Sequence, residues 1–183
     1  MAASSVEINT ELARLLNTGQ GVETLVLGAA GVTYDVMIKN VSDTSGSGKA
    51  YKRSGGIGYH IASAPGKSPV VDSGALKNSI SVSRGRSRSN PDNSSDIVID
   101  SPYALDLEFG TSRMRSRPFI IKSIDEAFRT RLKEIIDEFI SNINNNPYLV
   151  TAMLREYRQR YLMKPRISQK AKSSWSKRRG LTS

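Results

Sequence analysis

The residue types that most often do chemistry in proteins are scarce in this chain of 183 residues. It has one histidine, His60, and no cysteine. Without cysteine it can form neither a disulfide framework nor a thiolate metal site, and one histidine cannot build a histidine cluster. Ser73 and Ser79 would need a base to act as nucleophiles, and His60 is the sole candidate, so a catalytic triad is not expected. We interpret His60 as an ordinary strand residue.

Two further patterns suggest chemistry only in part. Gly48-Lys49 resembles the end of a phosphate-binding loop, but Ala50 lacks the required hydroxyl and Asp43 occupies the place of the first glycine. Glu108 could serve as a general acid or base, yet Asp106 would point elsewhere on either a strand or a helix. We therefore expect no enzyme activity, no metal and no other cofactor.

Two turn-rich segments, residues 62–80 and 103–119, organise the rest of the chain. In the first, Pro65-Gly66 and Asp72-Ser-Gly74 supply turn chemistry, because Asp can bond the backbone two residues on and Gly tolerates positive φ. The apolar pattern that resumes at Leu76 predicts a strand over residues 76–84.

The second segment has the same plan. Phe109-Gly-Thr111 closes a short apolar run, and Arg117-Pro118 begins a helix at a position where proline lacks no N–H that the helix needs. We interpret the two segments as one unit. One interpretation of residues 108–119 is that they form a tight corner, in which Phe109 and Phe119 fill the core while Glu108 pairs with Arg117 at the surface.

The order and spacing of these motifs resemble a known family, the head–tail joining or tail-completion proteins of tailed bacteriophages. The resemblance extends from about Val6 to Ile143. The motifs that carry it are Ser63-Ala-Pro-Gly66, Asp72-Ser-Gly-x-Leu-x-x-Ser-Ile80, Tyr103-Ala104, Leu107-Glu-Phe-Gly-Thr-Ser112 and Arg117-Pro-Phe119.

The resemblance implies a structural protein of the phage neck that joins the head, on its portal or connector side, to the tail or completes the tail. It implies a ring of identical subunits, a hexamer or dodecamer, in contact with connector, tail-terminator or tail-tube proteins, while contact with DNA in the channel stays open. The location would be the virion neck or tail, and the host cytoplasm during assembly. Candidate subunit-contact residues are Pro65, Gly66, Asp72, Gly74, Leu76, Tyr103, Glu108, Phe109, Gly110, Thr111, Arg117, Pro118 and Phe119.

Hydrophobic periodicity predicts an α+β fold in which a small antiparallel sheet packs against two longer helices. We expect Gly28 and Gly31 to allow one of these helices to pack closely against the sheet. No apolar run approaches the roughly 20 residues of a membrane-spanning helix, so no membrane contact is expected. The predicted elements are helices over 22–40, 118–143 and 147–163, strands over 59–62, 76–84 and 96–100, a basic hairpin tip at 85–95, a loop over 42–58 that is disordered or ordered by a partner, and either a strand or a helical turn over 103–109.

Positive charge is concentrated at the C-terminal end. The net charge is +10; residues 148–183 carry ten Lys or Arg and one Glu, whereas residues 1–147 carry 17 basic and 16 acidic groups. We predict a head–tail joining domain over 1–147 and a C-terminal helix with a basic extended arm over 148–183. The arm is a solvated tail, a DNA-backbone contact or a segment that docks in an acidic groove on a neighbouring protein. The alternative function is nucleic-acid binding by a neutral body with a basic tail. The arm residues in question are Arg166, Lys170, Lys172, Trp175, Lys177, Arg178 and Arg179.

Overall fold

The computed structural model of the chain describes residues 18–53, 57–85 and 94–162. The described part has an α+β fold, as predicted. Its helices are α1 (Gln20–Asp43), α2 (Ala75–Ser79), α3 (Ala104–Phe109), α4 (Ile120–Thr130), α5 (Leu132–Asn145) and α6 (Tyr148–Tyr157), and α6 continues into a π-helical turn over Arg158–Leu162. Its strands are β1 (Ala50–Lys52), β2 (Tyr59–Ile61), β3 (Ile80–Arg84) and β4 (Ser95–Ile99).

Helix α1 lies at the centre of the described domain. It packs against α4, α5 and α6 and also against β3 and β4. By length and composition alone α1 is long and apolar enough to cross a membrane, so the expectation that no segment approaches that length was wrong. In the fold, Leu27, Met37 and Val41 are almost fully buried, so α1 occupies the position of a core helix.

The glycines of α1 serve helix packing rather than packing against a sheet, so that expectation was wrong. A Cβ on Gly28 would lie 2.8 Å from the ring of Tyr157 and 3.2 Å from Ile135, and a Cβ on Gly31 would overlap the ring of Tyr161. These glycines therefore make room for two tyrosines of the C-terminal helical segment.

The strands form two separate antiparallel pairs. Strand β1 pairs with β2, from Ala50 opposite Ile61 to Lys52 opposite Tyr59. Strand β3 pairs with β4 in the predicted hairpin, and residues 86–93 of its basic tip lie outside the described residues. Two details of the prediction were wrong. The first half of the 76–84 strand is helix α2, and the 42–58 loop contains strand β1.

The predicted helix over 118–143 is two helices, α4 and α5, that meet at Arg131. In a straight helix, Ala127 and Ile135 would lie about 80° apart around the axis. Both pack in one cluster with Val32 and Val36 of α1. The break lets both helices direct their buried residues toward α1.

The C-terminal helix α6 closes the core. Val150 and Leu154 are almost fully buried, and Tyr161 of the π-helical turn packs with Leu27 of α1. The division into residues 1–147 and 148–183 stays a prediction. Arg166, Trp175 and the other arm residues named above lie outside the described residues.

Candidate functional site

The structure brings the two turn-rich segments together. The Gly66 amide donates a hydrogen bond to the Ser116 carbonyl at 2.9 Å, and the Lys122 ammonium donates to the Gly66 carbonyl. The Ser68 hydroxyl donates to the Pro118 carbonyl at 3.3 Å. Residues 62–68 and 116–122 therefore form one corner, which we call the motif corner.

A buried carboxylate holds the motif corner in place. The Glu108 side chain is 4% exposed and accepts three backbone hydrogen bonds, from Phe119 at 2.8 Å, Ile120 at 2.9 Å and Ile121 at 3.0 Å. These are amides at the start of α4 that have no partner inside the helix. A negative charge there also interacts favourably with the helix dipole. Glu108 is thus the N-terminal cap of α4, supplied by α3.

Arg117 makes different contacts from those expected. Its side chain is buried and its Nε donates to the Ser63 carbonyl at 3.1 Å, while its amide donates to the Leu107 carbonyl at 2.6 Å. The predicted surface pair of Glu108 with Arg117 was therefore wrong. Each charged group instead bonds to backbone atoms of a separate segment, because the corner has several backbone groups that lack partners in regular structure.

Gly110 shapes the turn between α3 and the corner. Its φ is 78°, and a Cβ at this position would lie 2.7 Å from the Met114 carbonyl oxygen. Thr111 and Met114 form a bridge across the turn, with the Thr111 amide donating to the Met114 carbonyl at 2.7 Å. Only glycine fits this conformation without strain.

The two motif phenylalanines have opposite environments. Phe119 is fully buried, as expected, and packs in one cluster with Leu76 and Ala104. Phe109 is 71% exposed, so its assignment to the core was wrong. The reason is helical phase in α3, since Ala104 and Glu108 face inward four residues apart and Phe109 then points about 100° away. The alternative of a helical turn over 103–109 is the correct one.

Helix α4 also has exposed apolar side chains. Because Ile121 bonds to Glu108, the start of α4 lies beside the end of α3. Spacings of three and four residues place Ile121, Ile124 and Phe128 along one side of α4. We call the following exposed set the corner surface: Leu105, Phe109, Ile121, Ile124 and Phe128.

A second exposed apolar set lies on the β1–β2 hairpin. Ile57 is 88% exposed, and Tyr59 and Ile61, two residues apart on one face of β2, are also exposed; we call these three residues the hairpin surface. Asp72, in the first turn-rich segment, connects that segment to the hairpin. Its Oδ1 lies 2.8 Å from the Arg53 Nε and 3.5 Å from the His60 Nδ1. His60 is a half-buried strand residue, as expected.

The remaining motif residues have structural positions. Gly74 has a φ of 77° and precedes α2, whose Leu76 is buried. Pro65 is exposed in the turn before Gly66, and Gly66 also has positive φ. Tyr103 and Pro118 are half-buried at the starts of α3 and α4.

Two ionic contacts of α1, one at the buried Glu23 and one at the partly exposed Asp35, were missed by sequence reasoning. Glu23, 6% exposed, accepts a two-pronged contact from Arg158, with the Nε to Oε1 distance at 2.9 Å. Asp35 accepts from Arg160 at 2.8 Å and from the Tyr161 hydroxyl at 2.9 Å. A signal was present, since Glu23 and Asp35 are two of the three acidic residues of an apolar helix, and Arg155, Arg158 and Arg160 follow one another closely near the C-terminal end of the described chain.

These groups also alter tyrosine acidity. Burial, helped by Glu138 and Glu156, raises the pKa of Tyr157 to about 12. Burial and the Asp35 carboxylate also raise the pKa of Tyr161. Both tyrosines are therefore neutral at physiological pH, and their rings act as packing groups.

Comparison of the chain with family models, with curated proteins and with solved structures finds no match. Within the described residues, no group of three His, Asp or Glu side chains is placed to hold a metal ion. What the geometry offers is a braced corner and two exposed apolar surfaces, an arrangement suited to protein contact.

Proposed function

We propose that this protein is a structural assembly protein of a phage neck, which joins head to tail or completes the tail as a ring of identical subunits. The observation that carries the proposal is the motif corner. The buried side chains of Glu108 and Arg117 fix its backbone, while Phe109, next to Glu108, is exposed to solvent. Two of the motifs that resemble the neck family, Ser63–Gly66 and Arg117–Phe119, lie in this corner, and a third supplies Glu108.

The energetic argument starts from the buried charges. Placing Glu108 and Arg117 in the interior is costly unless each is satisfied, and each is satisfied by backbone groups. The result is a turn with little freedom to rearrange. A rigid turn that presents an aromatic ring loses little side-chain entropy when it binds a partner.

The extent of the exposed apolar side chains supports the same function. A single exposed Leu or Phe is normal on a protein surface, whereas a contiguous set marks an interaction site. The corner surface joins two side chains of α3 to three of α4 across the Glu108 cap. Aromatic side chains are also enriched at the centres of protein interfaces.

A closed ring needs two different surfaces on each subunit, because its contacts run head to tail. The corner surface and the hairpin surface supply such a pair. The hairpin also has only two strands, too few for independent stability in water, so packing on a neighbour would stabilise it. In the proposed ring, the hairpin surface of one subunit contacts the corner surface of the next.

Mixing of complementary variants tests this assignment. Corner variant Leu105→Ser/Phe109→Ser and hairpin variant Ile57→Ser/Tyr59→Ser each lose one surface and should not form rings alone. Mixed together, they retain one good interface and should give a dimer, measured by light scattering and by electron microscopy. Leu149→Ser removes an exposed apolar side chain outside both surfaces and should assemble as the unmodified chain does.

The outcomes are distinct. Rings formed by either double variant, with the ring size of the unmodified chain, would refute the surface assignment. An unmodified chain that stays monomeric, alone and together with isolated phage necks, would refute the assembly function itself.

The charge asymmetry of the sequence favours nucleic-acid binding as a second candidate function. That function predicts DNA affinity that falls steeply with salt, with a logarithmic slope of about −0.9 per phosphate contact on duplex DNA. Electrophoretic titration of duplex DNA at two salt concentrations tests it. Absence of binding at low salt would eliminate this candidate.

A further inference from the structure

An open groove lies between α1, α5 and the C-terminal helical segment. Its volume is about 450 Å³, and its apolar floor includes Val32, Ile135 and Met153. This volume is within the usual range of ligand pockets, so the groove can take a few side chains. Four carboxylates and two arginines line its walls: Asp35, Glu134, Glu138, Glu156, Arg131 and Arg160.

Both arginines are already paired within the groove. Arg160 contacts Asp35 at 2.8 Å, and Arg131 contacts Glu134 at 3.1 Å. The two remaining carboxylates, Glu138 and Glu156, have neither a hydrogen bond nor an ion pair with the part of the chain that the structure describes. The groove therefore carries two uncompensated negative charges above an apolar floor.

The sequence that follows the groove has the complementary chemistry. The described chain ends at Leu162, directly after Arg160 and Tyr161 of the groove wall. Residues 164–183 contain seven Lys or Arg and no acidic residue, and they include Trp175, the sole tryptophan of the chain. Trp175 is thirteen residues beyond Leu162, a span of at most about 45 Å when extended, so reach is not a constraint.

We infer that this groove binds the basic arm, residues 164–183, of the same chain, with Lys or Arg side chains at Glu138 and Glu156 and an apolar side chain on the floor. Chain continuity favours the same copy, because the last described residue, Leu162, follows directly after Arg160 and Tyr161 of the groove wall. Arginine suits such a site because its planar guanidinium can bond a carboxylate through two N–H groups. The inference does not depend on the proposed assembly function.

Trp175 reports on the arm without any label. In the full-length protein, the docked arm should shield Trp175 from acrylamide, measured as quenching of its fluorescence. The variant Glu138→Gln/Glu156→Gln removes both free charges with little change in shape, and it should lower the docked-to-free ratio about fivefold, as expected for two exposed ion pairs. Asp106→Asn/Asp137→Asn, which neutralises two carboxylates outside the groove, should quench like the unmodified chain.

Two further measurements keep the inference falsifiable if the double variant does not fold. Salt at about 1 M, where the Debye length is about 3 Å, should expose Trp175 in the unmodified chain. Tryptic cleavage within residues 164–183 should become faster under the same conditions.

The contrary outcomes are equally specific. Quenching equal to that of the urea-unfolded chain would show that no docking occurs. Unchanged shielding in a folded Glu138→Gln/Glu156→Gln variant would place the arm elsewhere. Shielding that falls on dilution would assign the groove to the arm of another copy, which also contradicts the inference.

Discussion

Removal of the Glu108 carboxylate is the most direct test of how the motif corner is held. In Glu108→Ala, three amides at the start of α4 lose their acceptor. Loss of a helix cap costs about 1–2 kcal/mol. The Phe119 amide is also buried, and leaving it without a partner adds about 1–3 kcal/mol. We therefore expect the free energy of unfolding to fall by about 3 kcal/mol.

The graded variant sharpens this test. Glu108→Gln keeps one acceptor oxygen but loses the charge, so it should cost about 1–2 kcal/mol. Asp125→Asn is the matched control, because Asp125 lies on α4 in an exposed pair with Arg129 and should cost less than about 1 kcal/mol. For a domain of this size, 1 kcal/mol corresponds to about 2–4 °C in Tm.

Urea unfolding at neutral pH, followed by circular dichroism, measures the three free energies. The expected order of destabilisation is Glu108→Ala, then Glu108→Gln, then Asp125→Asn. If Glu108→Ala unfolds at the urea concentration of the unmodified chain, the carboxylate does not hold the corner and the reasoning fails.

Three further predictions concern packing and pH. Phe119→Ala should cost about 3–5 kcal/mol, whereas Phe109→Ala should change stability by less than about 0.5 kcal/mol; equal urea midpoints for the two variants would contradict their opposite burial. Gly31→Ala should destabilise by about 1–3 kcal/mol despite the higher helix propensity of Ala, and its combination with Tyr161→Ala should be less than additive in thermal unfolding. Because the pKa of Tyr157 is raised in the fold, the neutral form is favoured, so stability should be unaffected below pH about 10 and decrease as pH rises through about 12. Tyr157→Phe should weaken that alkaline decrease, and an unchanged pH profile would show that this tyrosine does not contribute to it.

The sequence predicted those elements correctly whose pattern depends only on residues close together along the chain. The periodicity of α1 and the β-branched run of β4 predicted both elements to within a few residues, because burial on one face imposes a fixed spacing. It also identified the two motif segments. It failed for Phe109, although the inward phase of Ala104 and Glu108 was a usable signal once a helix was considered.

Nonlocal relations could not be derived in the same way. The acceptor function of Glu108 depends on the end of α3 meeting the start of α4, and no spacing in the sequence encodes that meeting. The break at Arg131 likewise follows from where α1 lies. Gly28 and Gly31 were predicted to allow close packing, but the tyrosines that pack on them lie more than a hundred residues further along the sequence.

That separation bears on how the protein is made. The ribosome synthesises α1 early and α6 late, and at about 5–20 residues per second the roughly hundred residues between them take about 5–20 s. During this interval Tyr157 and Tyr161 cannot yet pack against Gly28 and Gly31 of α1. The nascent chain then exposes a helix whose hydropathy matches that of a membrane-spanning segment. Newborn chains of this protein should therefore engage chaperones until Tyr157 and Tyr161 emerge.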